Sequence, residues 1–190
     1  MTSSSDIINT CIEHLRKGHV ILYPTDTIWG LGCDPFNQVA LEKIFELKNR
    51  DTKKSFILIV DSLMMLKKYV ENIPEQIHTI IEETTQPLTI IYKASKKLPN
   101  YLLAPDGTIA IRIINHSLIN PLIKAYGQPI VSTSANISGE VNPTSLEKIN
   151  PQIISHVKFI VPPEFDTSSH THASKILKIN KDGSLFWIRK

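Results

Sequence analysis

Apolar residues along the chain follow two rhythms, one of helices and one of short buried strands. Ile7, Ile8, Cys11, Ile12 and Leu15 recur at helical spacing behind Ser5 or Asp6 as caps, and Gly18 ends the run. Val20 to Tyr23 predicts a strand; Asn37 caps a second helix through Val39, Ile44, Phe45 and Leu47. Phe56 to Val60 predicts another strand, and Asp61 caps a helix carrying Leu63, Leu66 and Tyr69. Pro74 suits the first turn of a further helix ending near Glu83. Leu88 to Tyr92 and Ile109 to Ile113 read as strands, His116 to Ala125 as a helix stopped by Gly127, and Ile130 to Thr133 as a strand. Asn136 to Pro143 is a turn-rich loop, followed by a helical segment at Leu146 to Ile149 and a strand at Phe159 to Val161. Ser174 to Ile179 and Leu185 to Ile188 flank Asn180-Lys181-Asp182-Gly183 as a terminal hairpin, and Pro162 to Ala173 is the least patterned stretch. Strands alternating with helices, then a late hairpin, predict an α/β fold with a mixed, twisted sheet.

The bulk numbers narrow this only slightly. A chain of 190 residues is expected to form one domain spanning 1–190, with enough apolar residues for a proper core. A formal charge of +3 is compatible with an anionic ligand or an RNA surface, but a lysine-rich solvated exterior explains it as well. Cys11 and Cys33 have neither zinc-site nor disulfide-framework spacing. No export signal or membrane-length apolar run is visible, so the expectation is a cytoplasmic protein without membrane attachment.

The chemistry concentrates in two places. From Val20 an apolar run breaks at Pro24 into Thr25-Asp26-Thr27, then Trp29 and Gly30-Leu31-Gly32, a strand opening into a ligand-shaped loop. There Thr25 and Thr27 face one side and Asp26 the other, with Trp29 as an apolar wall. Lys48 and Arg50 end the next helix; at positions i and i+2 they splay on a regular helix but converge where it passes into a loop. Ser132, Thr133, Ser134 and Asn136 form a second hydroxyl-rich strand end that suits phosphate oxygens. Each feature has an ordinary structural reading: a turn, a cationic helix terminus favoured by the dipole, a hydroxyl-stabilised bend. Their joint occurrence points to nucleotide or phosphate chemistry. The third glycine of a dinucleotide fingerprint, a Walker loop, a His-Glu-x-x-His and a nucleophile elbow are all absent, and His170 with His172 reads as a solvated pair.

The combination Y-P-T-D-T-I-W-G-L-G, K-N-R, T-I-A-I-R and S-T-S-A-N resembles the YrdC family of threonylcarbamoyl-AMP synthases, from about Gly18 to the C-terminus. The resemblance implies a YrdC-like twisted mixed sheet with flanking helices and a large, positively lined concave cavity. It implies adenylation of threonine-derived carbamate from L-threonine, bicarbonate and ATP, with Mg2+ carried by the ATP. A tRNA-modifying threonylcarbamoyl transferase complex is the implied recipient, and some members have been associated with double-stranded RNA. Carried over by motif, Lys48 and Arg50 would be catalytic. Arg50, Thr108, Ser134, Asn136, Asn142 and Arg189 would bind ATP; Thr27, Arg112, Ser132 and Ser174 would bind threonine, Arg112 pairing its carboxylate.

The departures cluster at the amino-acid end: Asp51 where proline is common, Lys54-Ser55-Phe56 for a K-P-L element, Gln86-Pro87-Leu88 for Pro-Gly-Pro, Ile59 for a frequent histidine, and Lys175 for a frequent threonine. Such chemistry asks for positioning and charge neutralisation, which fits the lack of an acid–base pair. Two other readings stay open on sequence: an RNA-binding paralogue without synthase activity, and a carbamoyl-adenylating maturation factor.

Overall fold

The computed structural model describes residues 3–51, 56–167 and 173–190. In chain order these form α1 (Ser4–Arg16), β1 (Ile21–Tyr23), β2 (Gly30–Cys33), α2 (Gln38–Lys48), β3 (Ile57–Val60), α3 (Leu63–Leu66), α4 (Glu75–Glu83), β4 (Leu88–Lys93), β5 (Thr108–Ile113), α5 (Ile119–Tyr126), β6 (Ile130–Ser134), α6 (Pro151–His156), β7 (Phe159–Ile160), β8 (Lys175–Ile179) and β9 (Leu185–Arg189). The strands lie in one sheet, in the order β7-β1-β2-β6-β3-β5-β4-β8-β9. Three neighbouring pairs, β1 with β7, β3 with β5 and β4 with β8, are parallel and the rest antiparallel. The fold is therefore the expected α/β type, a twisted open mixed sheet with flanking helices.

Register decides what shares a face. Ile57 of β3 pairs with Ser132 of β6 and with Ala110 of β5, while Gly30 of β2 pairs with Ser134. Because side chains alternate along strands, Ser132, Ser134, Ile57, Ala110 and Arg112 lie on one face. A continuous core including Leu31, Leu58, Ile111, Val131 and Leu177 holds the molecule together. Each such side chain contributes roughly 1.5–3 kcal/mol by leaving water. Cys11 and Cys33 are free thiols inside it.

The structure departs from the sequence reading in several details. Gly30–Cys33 is a strand, not a loop, because Gly32 gives its side-chain space to Tyr23: an added Cβ would stand 2.6 Å from the Tyr23 ring and from the Val131 carbonyl. Ser3 replaces Ser5 or Asp6 as the α1 cap and forms a capping box with Asp6. Ser62, not Asp61, caps α3, which is a single turn. The helix expected from His116 begins at Ile119 behind Leu118 as N-cap; the His116 ring lies ahead of it, its Nδ1 accepting from Leu118 N and Ile119 N at 3.2 and 3.3 Å. An additional helix, α6, starts at Pro151 behind an Asn150 cap. The His170 and His172 pair and the Lys54-Ser55 element lie outside the described residues. No helix among the described residues is long and apolar enough to cross a membrane.

Candidate active site

The end of α2 explains how Lys48 and Arg50 converge. Asn49 adopts the left-handed conformation at φ 48°, with Asn49 N donating to Glu46 O and Arg50 N to Phe45 O, both at 3.0 Å. This is a Schellman ending; it reverses the chain between the two cations. Lys48 then points inward. It is 1% exposed, and its Nζ donates to Ser134 O, to Asn136 O at 2.6 Å and to Asn136 Oδ1 at 3.2 Å. Burial, and then the nearby charge of Arg50, brings its pKa down to about 8. At neutral pH the ammonium keeps three donors for three oxygens.

The loop Lys48 supports is cross-braced. Ser134 Oγ donates to Asn136 Oδ1 at 2.5 Å, Asn136 Nδ2 to Glu140 O at 2.7 Å, and Ser138 N to Lys48 O at 2.8 Å. Ala135 N donates to Trp29 O at 2.9 Å, which fastens the same loop to the end of the Pro24 bend. The two motifs thus form one unit, with Lys48 and Asn136 as its frame.

In front of this frame lies a cleft of about 230 Å³. Arg50, Arg112, Ser132, Ser134, Asn142, Ser174 and Arg189 all line it, together with apolar Trp29, Phe56 and Ile57. Arg50 lies over the Phe56 ring, its guanidinium carbon 5.0 Å from the centroid. Arg189 Nε donates to Ser174 O at 2.7 Å, and Ser174 Oγ shares a 2.7 Å hydrogen bond with Thr89 Oγ1. Burial lowers the pKa of Arg50, and burial followed by the charge of Arg112 lowers that of Arg189. Among the described residues three guanidinium groups meet here and no lining residue is a carboxylate. An anion of several charges relieves both the desolvation and the mutual repulsion.

Thr27 sits just behind the cleft, its Oγ1 accepting from Arg112 Nη1 at 3.1 Å. Asp26 faces the other way from Thr25, as the alternation predicts, onto a neighbouring cavity, while its Oδ1 lies 3.2 Å from the same Nη1. Thr108 stands on the Arg112 face of β5 but outside the cleft lining, with its hydroxyl donating to Asp106 Oδ1 at 2.6 Å. Sequence reasoning gave no role to Asp26, Thr25 or Phe56. Thr25 braces the bend, its Oγ1 accepting from Thr27 N at 3.0 Å and donating to Ile28 O at 2.7 Å.

The profile of the Sua5/YciO/YrdC family, described as telomere recombination, matches residues 13–190. The chain belongs to the Sua5/YciO/YrdC family. Among relatives, the threonylcarbamoyl-AMP synthase of Pseudoalteromonas translucida is 37% identical over 162 residues, covering 84% of this chain and 87% of that protein. The synthase of the same name from Vibrio cholerae is 34% identical over 172 residues, covering 89% and 90%. Within the family, Escherichia coli YciO superposes with a TM-score of 0.84 at 25% identity, covering 100% of this chain and 91% of that one. P. abyssi Sua5 complexed with L-threonine superposes with a TM-score of 0.86 at 24% identity; the chain spans 55% of its length.

Proposed function

We propose that this protein is an L-threonylcarbamoyladenylate synthase, a nucleotidyltransferase that forms threonylcarbamoyl-AMP and pyrophosphate from L-threonine, bicarbonate and ATP. One observation carries the reading: Arg50, Arg112 and Arg189 converge with Ser132, Ser134 and Ser174 on a single cleft that no carboxylate among the described residues lines. The names of the 34–37% identical relatives support it.

In this reading the threonine amine takes up CO2 derived from bicarbonate to give a carbamate. A carbamate oxygen attacks the α-phosphorus, the bond to the bridging oxygen breaks, and pyrophosphate leaves with the electron pair. Nothing in that displacement requires a protein acid or base; it requires alignment and neutralised charge. Arg50 and Ser134 would hold the triphosphate, with Asn142 and Arg189 beside it. A phosphate oxygen would compete with Asn136 Oδ1 for the Ser134 hydroxyl hydrogen. Arg112 would receive the amino-acid carboxylate, with Ser132 and Ser174 nearby. Thr108 would act at the outer rim. Magnesium would arrive with the nucleotide and be coordinated by its phosphate oxygens. The product would pass, in the cytoplasm, to a transferase complex that modifies tRNA.

Incubation with threonine, bicarbonate and α-labelled ATP should yield a product with the mass of threonylcarbamoyl-AMP, and pyrophosphate release that depends on both threonine and bicarbonate. Arg50→Ala should lower that release by roughly a hundredfold or more, as loss of a preorganised electrostatic donor does. Absence of the product, or full activity without Arg50, would sink the assignment.

A further inference from the structure

We infer that Asp26 is a positioning residue that clamps one edge of the Arg112 guanidinium and thereby presents the other edge to the substrate carboxylate. The inference rests on the threonine role proposed for Arg112. It starts from the two faces of that guanidinium. On one, Nη1 donates to Thr27 Oγ1 at 3.1 Å and lies 3.2 Å from Asp26 Oδ1, an ion pair in which that oxygen accepts no hydrogen bond among the described residues. On the other, Nε is buried and makes no hydrogen bond among the described residues.

An arginine fork binds a carboxylate through two parallel N–H groups. With Nη1 taken, the edge containing Nε and Nη2 is the one left for a ligand. An unmet N–H on a side chain only 6% exposed is costly unless something fills it. Arg112 lines the cleft and Asp26 does not, so Asp26 acts through Arg112 and not on the ligand.

The clamp is itself held. Asp26 Oδ2 accepts from Asn115 N at 3.4 Å, beyond the end of β5, and Thr27 Oγ1 is tied to Thr25 Oγ1 at 2.9 Å. The Pro24 bend and the end of β5 therefore brace one side chain from two directions. The charges also close: with substrate bound, Asp26 and one carboxylate would face Arg112 and Arg189.

The test compares Michaelis constants. Asp26→Asn keeps the shape and an acceptor but removes the charge; it should raise the threonine KM about tenfold or more. The ATP KM should stay within about twofold. Asp26→Glu, which keeps the charge with an extra methylene, should show an intermediate rise in threonine KM alone. Arg112→Ala serves as the control and should raise the threonine KM further still. Unchanged threonine KM in Asp26→Asn beside a large rise in Arg112→Ala would overturn the clamp, as would equal rises for both substrates, the mark of general loosening. Should Asp26→Asn fail to fold, Asp26→Glu carries the comparison, and an unchanged threonine KM there overturns it too. If Arg112→Ala itself leaves the threonine KM unaltered, the underlying threonine role of Arg112 fails instead.

Discussion

The Lys48 ammonium reaches no surface of the cleft; it holds two backbone carbonyls and a carboxamide oxygen from behind. Under the proposed reaction its influence passes through the Ser134–Ser138 loop, whereas Arg50 meets the nucleotide. Lys48→Met keeps the length of the side chain and removes its donors. Orphaning those acceptors should cost about 1–3 kcal/mol in urea unfolding, and pyrophosphate release should fall as the loop loses its anchor. A fully stable Lys48→Met protein would contradict the bracing role. A pH dependence follows as well. The folded pKa of Lys48, about 8, lies below its ordinary 10.5. Between those values the unfolded chain binds more protons, so this group's contribution to stability rises with pH across the window. The stability gap between wild type and Lys48→Met should therefore widen from about pH 7.5 to about pH 10. A gap that narrows would mean that the three acceptors outweigh burial.

At the scale of elements, the ending of α2 and the end of β6 decide the site. Asn49 at φ 48° is what lets the chain reverse between the two cations. Asn49→Ala should lose about 1 kcal/mol, since alanine is strained in this region that asparagine and glycine tolerate, and should lower turnover by misaiming Arg50. Asn49→Gly should restore both in the same assays. Much of this level was legible in the sequence: the Asn37 cap, the Gly127 stop and the Asn180–Gly183 turn are local signals, and the structure has them where the pattern puts them. Strand β2 was hidden because glycines normally weaken strands, and here one is required by the Tyr23 ring crossing it. Helix α6 was hidden by its brevity, although Asn150-Pro151 carries a start signal. For the site, the motifs named Lys48, Arg50, Ser134 and Asn136, yet no local pattern separates a buried brace from a lining cation. The meeting of Asp26 with Arg112 depends on how distant strands register, which spacing does not encode.

Across the whole molecule, the strand order places β6 between β2 and β3, so the Pro24 bend, the end of β6 and Arg112 of β5 meet near the sheet centre. β8 and β9 extend the same sheet and bring Ser174 and Arg189 to the cleft. The cleft thus draws on segments from both ends of the chain, and none of its walls is complete without the sheet. That dependence gives the two thiols of the interior a use. Cys11 and Cys33 are both 0% exposed, and burial pushes the Cys11 thiol up to about 12 and the Cys33 thiol further in the same direction. Alkylating reagents attack thiolates, so the native protein should resist iodoacetamide until it opens. Saturation with ATP alone at ~100 times its Kd should slow that opening-limited labelling by about a hundredfold. Rapid labelling of the untouched fold would contradict it; otherwise the two sulfurs are a built-in clock for how often the protein comes apart.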